Sequence, residues 1–219
     1  MLQRVLPRLY PILDASLLLR AGLSIEGFAR ELREAGVRFL QYRDKEAADE
    51  VLLERAAMLR QIFPPSDSCL VLNDRVSLVL SSGYDGLHVG QEDLPPTAAR
   101  ALLGPDILLG VSTHGESQLL SAENGPADYV AIGPVYATLS KTVPDPVVGL
   151  EGVRAARALT TKPLVAIGGI GRTNCAAVLA AGADSVAVIS DLIPHPGDSV
   201  ANLVKQFLSQ LEDHSQTLS

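Results

Sequence analysis

The chain has 219 residues, longer than the commonest domain yet close to the lower limit of about 200 for one α/β barrel, so a single domain over 1–219 is expected. Hydrophobic residues make up 47% and charged ones 20%, which excludes a disordered chain, and a net charge of -7 has the wrong sign for a nucleic-acid partner. A small anionic substrate is still compatible, because a few basic groups in a cleft set the local potential.

The start, Met1 to Arg8, carries arginines but no long apolar core leading to a cleavage site, and no apolar run approaches a bilayer span. A cytoplasmic protein with no membrane partner is expected. Short apolar or β-branched runs read as buried strands at Leu9 to Leu13, Val37 to Gln41, Cys69 to Leu72, Gly86 to Val89, Ile107 to Val111, Tyr129 to Ile132, Pro163 to Ile167 and Ser185 to Ile189. Between them, helical periodicity marks stretches such as Ser24 to Glu34, Glu46 to Ile62, Leu150 to Leu159, Asn174 to Ala181 and Ser199 to Leu211, and the residues after about 212 read as a disordered tail. About eight strand–helix alternations favour a (β/α)₈ TIM barrel over an open doubly wound sheet. The longest connection without a pattern, Gly133 to Gly149, contains Pro134, Pro144 and Pro146 and is a candidate lid. Cys69 and Cys175 lack metal-ligand spacing and read as small buried hydrophobes.

Polar residues and glycines collect where strands pass into helices, the face on which barrel enzymes carry their active sites. Gln41, Arg43 and Lys45 are spaced by two and project from one face of the second strand, with Tyr42 and Asp44 on the other. Two cations facing the barrel interior call for an anion, naturally a phosphate or diphosphate. Asn73 and Asp74 follow the third strand and Asp93 the fourth, two carboxylates on adjacent loops of the kind that hold Mg²⁺, though each alone is also an ordinary helix N-cap. Ser112, Thr113 and His114 end the fifth strand, and Thr138, Ser140 and Lys141 follow the sixth, a set of hydroxyls and a point charge suited to gripping a diphosphate. The seventh and eighth units bring Gly168, Gly169, Gly171, Ile189 and Ser190, where many barrels bind phosphate through backbone N–H groups. No nucleophile–base arrangement emerges, and His88 reads as a packed, hydrogen-bonded histidine rather than a base.

With these residues in place, the chain resembles the thiamine phosphate synthase family from the first strand to the last. The likeness rests on Leu9-Tyr10-Pro11-Ile12-Leu13-Asp14, Gln41-Tyr42-Arg43-Asp44-Lys45, Leu72-Asn73-Asp74, Asp85 to Leu94, Gly110-Val111-Ser112, Gly133-Pro134 with Thr138 to Lys141, Ala166 to Ile170, and Ile189-Ser190. The resemblance implies that Gln41, Arg43, Lys45, Asn73, Ser112, Thr138, Ser140 and Lys141 bind a pyrimidine diphosphate, with Arg43, Ser112 and Lys141 closest to the chemistry. It implies that Asp74 and Asp93 hold Mg²⁺ as cofactor and that Gly169, Ile189 and Ser190 hold a thiazole phosphate. A side chain added at Gly169 is then expected to crowd the thiazole phosphate selectively. Leu13 and Ser140 stand where threonine is common in this family. Two other readings stay open: a thiazole tautomerase that shares the barrel and uses His114, and a non-catalytic barrel that senses a precursor.

Overall fold

The computed structural model describes residues 6–138 and 146–212. Eight parallel strands, β1 (Leu9–Asp14), β2 (Phe39–Arg43), β3 (Cys69–Asn73), β4 (Gly86–Val89), β5 (Leu108–Thr113), β6 (Tyr129–Ile132), β7 (Leu164–Ile167) and β8 (Ser185–Val188), pair in chain order and close into a barrel through β8 and β1. The helices are α1 (Ala15–Arg20), α2 (Ile25–Glu34), α3 (Asp49–Ile62), α4 (Val76–Ser82), α5 (Pro96–Leu103), α6 (Glu116–Glu123), α7 (Gly149–Leu159), α8 (Cys175–Ala180) and α9 (Val200–Glu212), with a 3₁₀ turn at Ser190–Leu192. The expected barrel is therefore present, and every strand lies within two residues of its expected start. Residues after 212 lie outside the described residues.

Side-chain alternation along the strands divides the core into two layers. Leu6, Tyr10, Ile12, Phe39, Val71, Leu108, Tyr129, Ala131, Val165 and Ala187 fill the barrel interior. Their neighbours, among them Leu13, Leu40, Tyr42, Leu72, Leu87 and Val130, face outward under the helices. Helix α2 shows how the outer layer closes: Ser24 caps its start by accepting from the Gly27 N–H at 3.2 Å, and Ile25, Phe28, Ala29 and Leu32 form the buried stripe. Full burial of each of the three larger side chains contributes roughly 1.5–3 kcal/mol. Leu13 belongs to this layer and is fully buried, so its departure from the family threonine lies away from the barrel mouth.

The N-terminal ends of the strands carry a repeated fastening. Asp85 accepts from the Leu70 N–H at 2.8 Å and from Arg60 at 2.6 Å; Asp128 accepts from Leu109 at 2.7 Å and Arg100 at 2.6 Å; Asp184 accepts from Leu164 at 2.7 Å and Arg157 at 2.8 Å. In each case the helix before an odd-numbered strand is tied to the aspartate that precedes the next, even-numbered strand, and that aspartate is tied to the backbone of the odd-numbered strand. This end of the barrel is devoted to stability, which leaves the C-terminal end for chemistry.

Candidate active site

The inward-facing residues at the ends of the first five strands form a polar rim. Arg43, the last residue of β2, lies opposite Asp14 in the ladder and donates to its Oδ2. Asp14 is 6% exposed and also caps α1, accepting from Leu17 N–H at 2.9 Å. Lys45 lies past the end of β2 and is exposed, yet its Nζ sits 3.0 Å from Asp74 Oδ2. The two cations thus have carboxylate partners inside the protein, which corrects the expectation that an external anion must offset their burial. Asp14 is a site residue that composition and spacing alone did not mark; its signal is an aspartate set directly before a run of helix formers. On the opposite face, Tyr42 donates to Asp44 at 2.9 Å and Arg55 of α3 donates to the same carboxylate at 2.6 Å, so the expected division of faces holds.

Asp74 and Asp93 come from different strand ends and meet. Desolvation, followed by a shared hydrogen bond with Asp93, raises the Asp74 carboxyl above its ordinary value, with Lys45 pulling the other way. Asp93 Oδ2 also accepts from the Gly90 N–H at 2.7 Å, which shapes its turn. Asp74 has φ of 62°, the only non-glycine residue with positive φ among the described residues, a strain of about 1–2 kcal/mol that short polar side chains bear best. Two half-buried carboxylates in contact fit a hard divalent cation, and Mg²⁺ takes one or two carboxylates and completes its octahedron with water and phosphate oxygens. No group of three or more His, Cys, Asp or Glu side chains is placed to hold a metal among the described residues, so an all-protein cage of the zinc type is not formed there.

Beneath the rim a row of polar side chains crosses the barrel interior. Gln41 Nε2 donates to Tyr10 Oη at 2.9 Å, Tyr10 Oη and Tyr129 Oη are 2.9 Å apart, Tyr129 Oη lies 2.9 Å from His88 Nδ1, and His88 Nε2 lies 2.8 Å from Ser112 Oγ. His88 is packed and hydrogen-bonded, as the sequence suggested. Burial pushes its pKa down from 6.5 to about 4, against a weaker opposite pull from Asp93. The unfolded chain therefore takes up this proton at higher pH than the folded one, and stability is lost as pH falls from about 6.5 toward 4. The expected loss is on the order of 3 kcal/mol. Urea midpoints measured across this window should fall less steeply for His88→Gln than for the unaltered protein, and parallel declines would mean the folded ring is readily protonated.

The far side of the mouth is built by β7 and β8. Gly168 and Gly169 both have positive φ, and Asn174 braces their loop, accepting from Gly171 N–H at 2.8 Å and donating to Gly169 O at 3.0 Å. Asp191 joins the β7 and β8 turns, accepting from the Arg172 backbone N–H at 2.8 Å and from its Nε at 3.0 Å, beside the exposed Ser190 and half-buried Ile189. The β6–α7 connection rests on the same loop: Val135 N–H donates to Ile167 O and Tyr136 N–H to Gly168 O, each at 2.9 Å. A Cβ on Gly169 would stand 2.6 Å from Ala137 O and 2.7 Å from Tyr136 Cβ. The missing side chain at Gly169 therefore makes room for the connection that carries Thr138, which changes the expectation that substitution there would affect the thiazole side far more than the diphosphate side.

Of the expected site residues, Arg43, Lys45, Asn73, Asp74, Asp93, Ser112, Thr138, Gly169, Ile189 and Ser190 lie near or beyond strand ends on the one C-terminal face, whereas Gln41 lies mid-strand beneath the rim, buried and donating to Tyr10. Ser140 and Lys141 lie outside the described residues, as do residues 139–145 of the candidate lid as a whole. His114 is on this face too, its Nδ1 2.6 Å from Gly133 O. Cys175 is buried and Cys69 partly so, and neither is in a disulfide. A cavity of about 1350 Å³ opens at the other end of the barrel, lined by Arg8, Phe39, Cys69, Leu108 and Val204 among others; it contains none of the expected site residues.

The family model described as thiamine monophosphate synthase matches residues 9–192, from the first residue of β1 through the turn after β8. The chain belongs to this family. It is 50% identical over 193 residues to a thiamine-phosphate synthase of Koribacter versatilis, covering 87% of this chain and 91% of that one, and 41% identical over 186 residues to one of Chloroflexus aurantiacus, covering 85% of each. Among solved structures, a thiamine phosphate pyrophosphorylase of Pyrococcus furiosus superposes with a TM-score of 0.84 at 31% identity, over 94% of this chain and 96% of that one. No helix among the described residues is long and apolar enough to cross a membrane.

Proposed function

We propose that this protein is a thiamine-phosphate synthase of the cytoplasm, a transferase that joins hydroxymethylpyrimidine diphosphate to a thiazole phosphate and releases diphosphate. The observation that carries this reading is the meeting of Lys45, Asp74 and Asp93 beside Arg43 and Ser112, a combination of cations, hydroxyl and paired carboxylates at one mouth. The half-identical Koribacter versatilis relative, covering nearly the whole chain, supports it.

Asp74 and Asp93 would hold Mg²⁺, which when bound would neutralise charge on the leaving diphosphate. Arg43 and Lys45, drawn up by Asp14 and Asp74, stand where they can share their donors with the diphosphate oxygens; a guanidinium carries five N–H groups. Ser112 and Thr138 add hydroxyl donors, and Asn73, the inward-facing end of β3, adds an amide. Departure of diphosphate leaves a methylene cation stabilised by the aminopyrimidine ring, and the thiazole nitrogen attacks it. Gly169, Ile189 and Ser190 would anchor the thiazole phosphate across the mouth, so the two anions are kept apart and the ring nitrogen is held toward the carbon. Such chemistry needs alignment and charge neutralisation rather than a general base, in keeping with a neutral, buried His88.

The test is to mix both substrates with Mg²⁺ and follow diphosphate. Release that requires both substrates and yields thiamine phosphate supports the reading; folded protein that releases none sinks it. Lys141→Ala is expected to slow turnover at saturating substrates by about 100-fold, the scale of losing one donor to a developing charge, and near-normal turnover would mark Lys141 as dispensable.

A further inference from the structure

The interior of an eight-stranded barrel is normally filled with branched apolar side chains, and polar atoms placed there are costly unless every one is paired. Here Tyr10, Gln41, His88 and Tyr129 occupy it together, and room has been made for them. A Cβ on Gly110 would stand 2.0 Å from the Tyr129 ring, so only glycine at this place in β5 lets the phenol reach both Tyr10 and His88. A core of leucine and valine would fill the same space, so the row calls for a purpose beyond packing.

We infer that Tyr129 and His88 are positioning residues in a proton-ordered row, Gln41–Tyr10–Tyr129–His88–Ser112, that holds the Ser112 hydroxyl as a hydrogen-bond donor toward the mouth of the barrel. The order follows from counting hydrogens. Gln41 Nε2 donates to Tyr10 Oη, so that oxygen is already an acceptor. A phenol has one hydrogen, and burial holds both tyrosines in the protonated form. The Tyr10 hydrogen is satisfied when it points to Tyr129 Oη, 2.9 Å away. Tyr129 then turns its own hydrogen to His88 Nδ1, also at 2.9 Å. A neutral imidazole that accepts at Nδ1 carries its proton on Nε2, which donates to Ser112 Oγ at 2.8 Å. With its oxygen accepting from the histidine, Ser112 has its hydrogen left for the rim. Running the row the other way would place two donors on Tyr10 and leave its hydrogen buried without an acceptor, which structures avoid.

The consequence rests on the synthase reading: a serine fixed as donor meets a diphosphate oxygen without first reorienting, whereas a serine that donates inward presents only lone pairs to an anion. The Ser112 backbone is held as well, its carbonyl accepting from Gln91 Nε2 at 2.6 Å.

Two measurements test the inference. Nitrogen NMR of ¹⁵N-histidine-labelled, substrate-free protein, with His88→Gln to identify the resonances, should show His88 protonated at Nε2 and accepting at Nδ1. An Nδ1–H tautomer would overturn the order, since it corresponds to a row that runs from Ser112 toward an inward-facing Gln41 carbonyl. In kinetics, Tyr129→Phe should lower kcat by about 10-fold with KM for the diphosphate substrate little changed, and the same substitution in a Ser112→Ala background should cause no further loss. Additive losses would show that Tyr129 acts through packing and would overturn the positioning role. Failure of the synthase reading shows separately, as unaltered protein that releases no diphosphate; the tautomer, read without substrate, decides the order of the row in either event.

Discussion

Gly169→Val is expected to destabilise the protein by about 3 kcal/mol and to raise KM for both substrates. Gly169 has φ of 63°, a left-handed backbone in which a β-branched residue is strained by roughly 1–2 kcal/mol. The new Cβ would fall 2.6 Å from Ala137 O and 2.7 Å from Tyr136 Cβ, and forced overpacking of this kind typically adds about 1–3 kcal/mol. The residues displaced lie directly before Thr138, so the disturbance passes from the thiazole side of the mouth to the diphosphate side. Gly171→Ala is the contrasting case. Its Cβ would meet Asp191 at 3.0 Å, in the link between the β7 and β8 turns, and its three nearest atoms all belong to Asp191. That variant should raise KM for the thiazole phosphate selectively. If Gly169→Val raised KM for the thiazole phosphate alone, the contact with Tyr136 and Ala137 would have no part in binding the diphosphate substrate.

The barrel was legible because each strand is a short apolar run bounded by polar or turn residues, and the strand count separates a closed barrel from a smaller open sheet. Helices α4, α5 and α6 were harder to read: none exceeds eight residues, and none has a side-chain cap at its start. The site was legible where chemistry is local, as in the spacing by two of Gln41 and Arg43. It was not legible where chemistry depends on closure of the barrel. Tyr10 and Tyr129 touch across 119 residues of chain and Gln41 reaches Tyr10 across 31, so their pairing exists only once the strands surround a common axis. The fastening at the strand starts left a trace that reading by hydrophobicity passes over. Asp85, Asp128 and Asp184 each stand directly before an even-numbered strand, and each is 25 to 28 residues beyond its arginine. A charged residue at a strand start looks like a solvated turn until its backbone partner on the neighbouring strand is known.

Asp74→Asn and Asp93→Asn are each expected to raise the Mg²⁺ concentration for half-maximal activity by at least about 10-fold, since even groups that only support a metal ligand are worth that much. Both substitutions are chosen to leave the backbone as it is. Asparagine tolerates the left-handed conformation at position 74, and at 93 its side-chain oxygen still accepts from the Gly90 N–H. What each removes is one of two carboxylates held in contact, where desolvation and the neighbour already raise Asp74. The electrostatics then separate a metal site from a pair of turn-forming aspartates. Without metal, either variant relieves like-charge contact and should melt at the same temperature as the unaltered protein or higher, with Lys45 losing its charged partner in Asp74→Asn. With Mg²⁺ added, a ligand that binds only the folded state raises the melting temperature in proportion to its occupancy, so the unaltered protein should gain and both variants should gain less. If neither the metal dependence of turnover nor the Mg²⁺-induced rise in melting temperature changed in either variant, the two aspartates would be shaping their turns and nothing more.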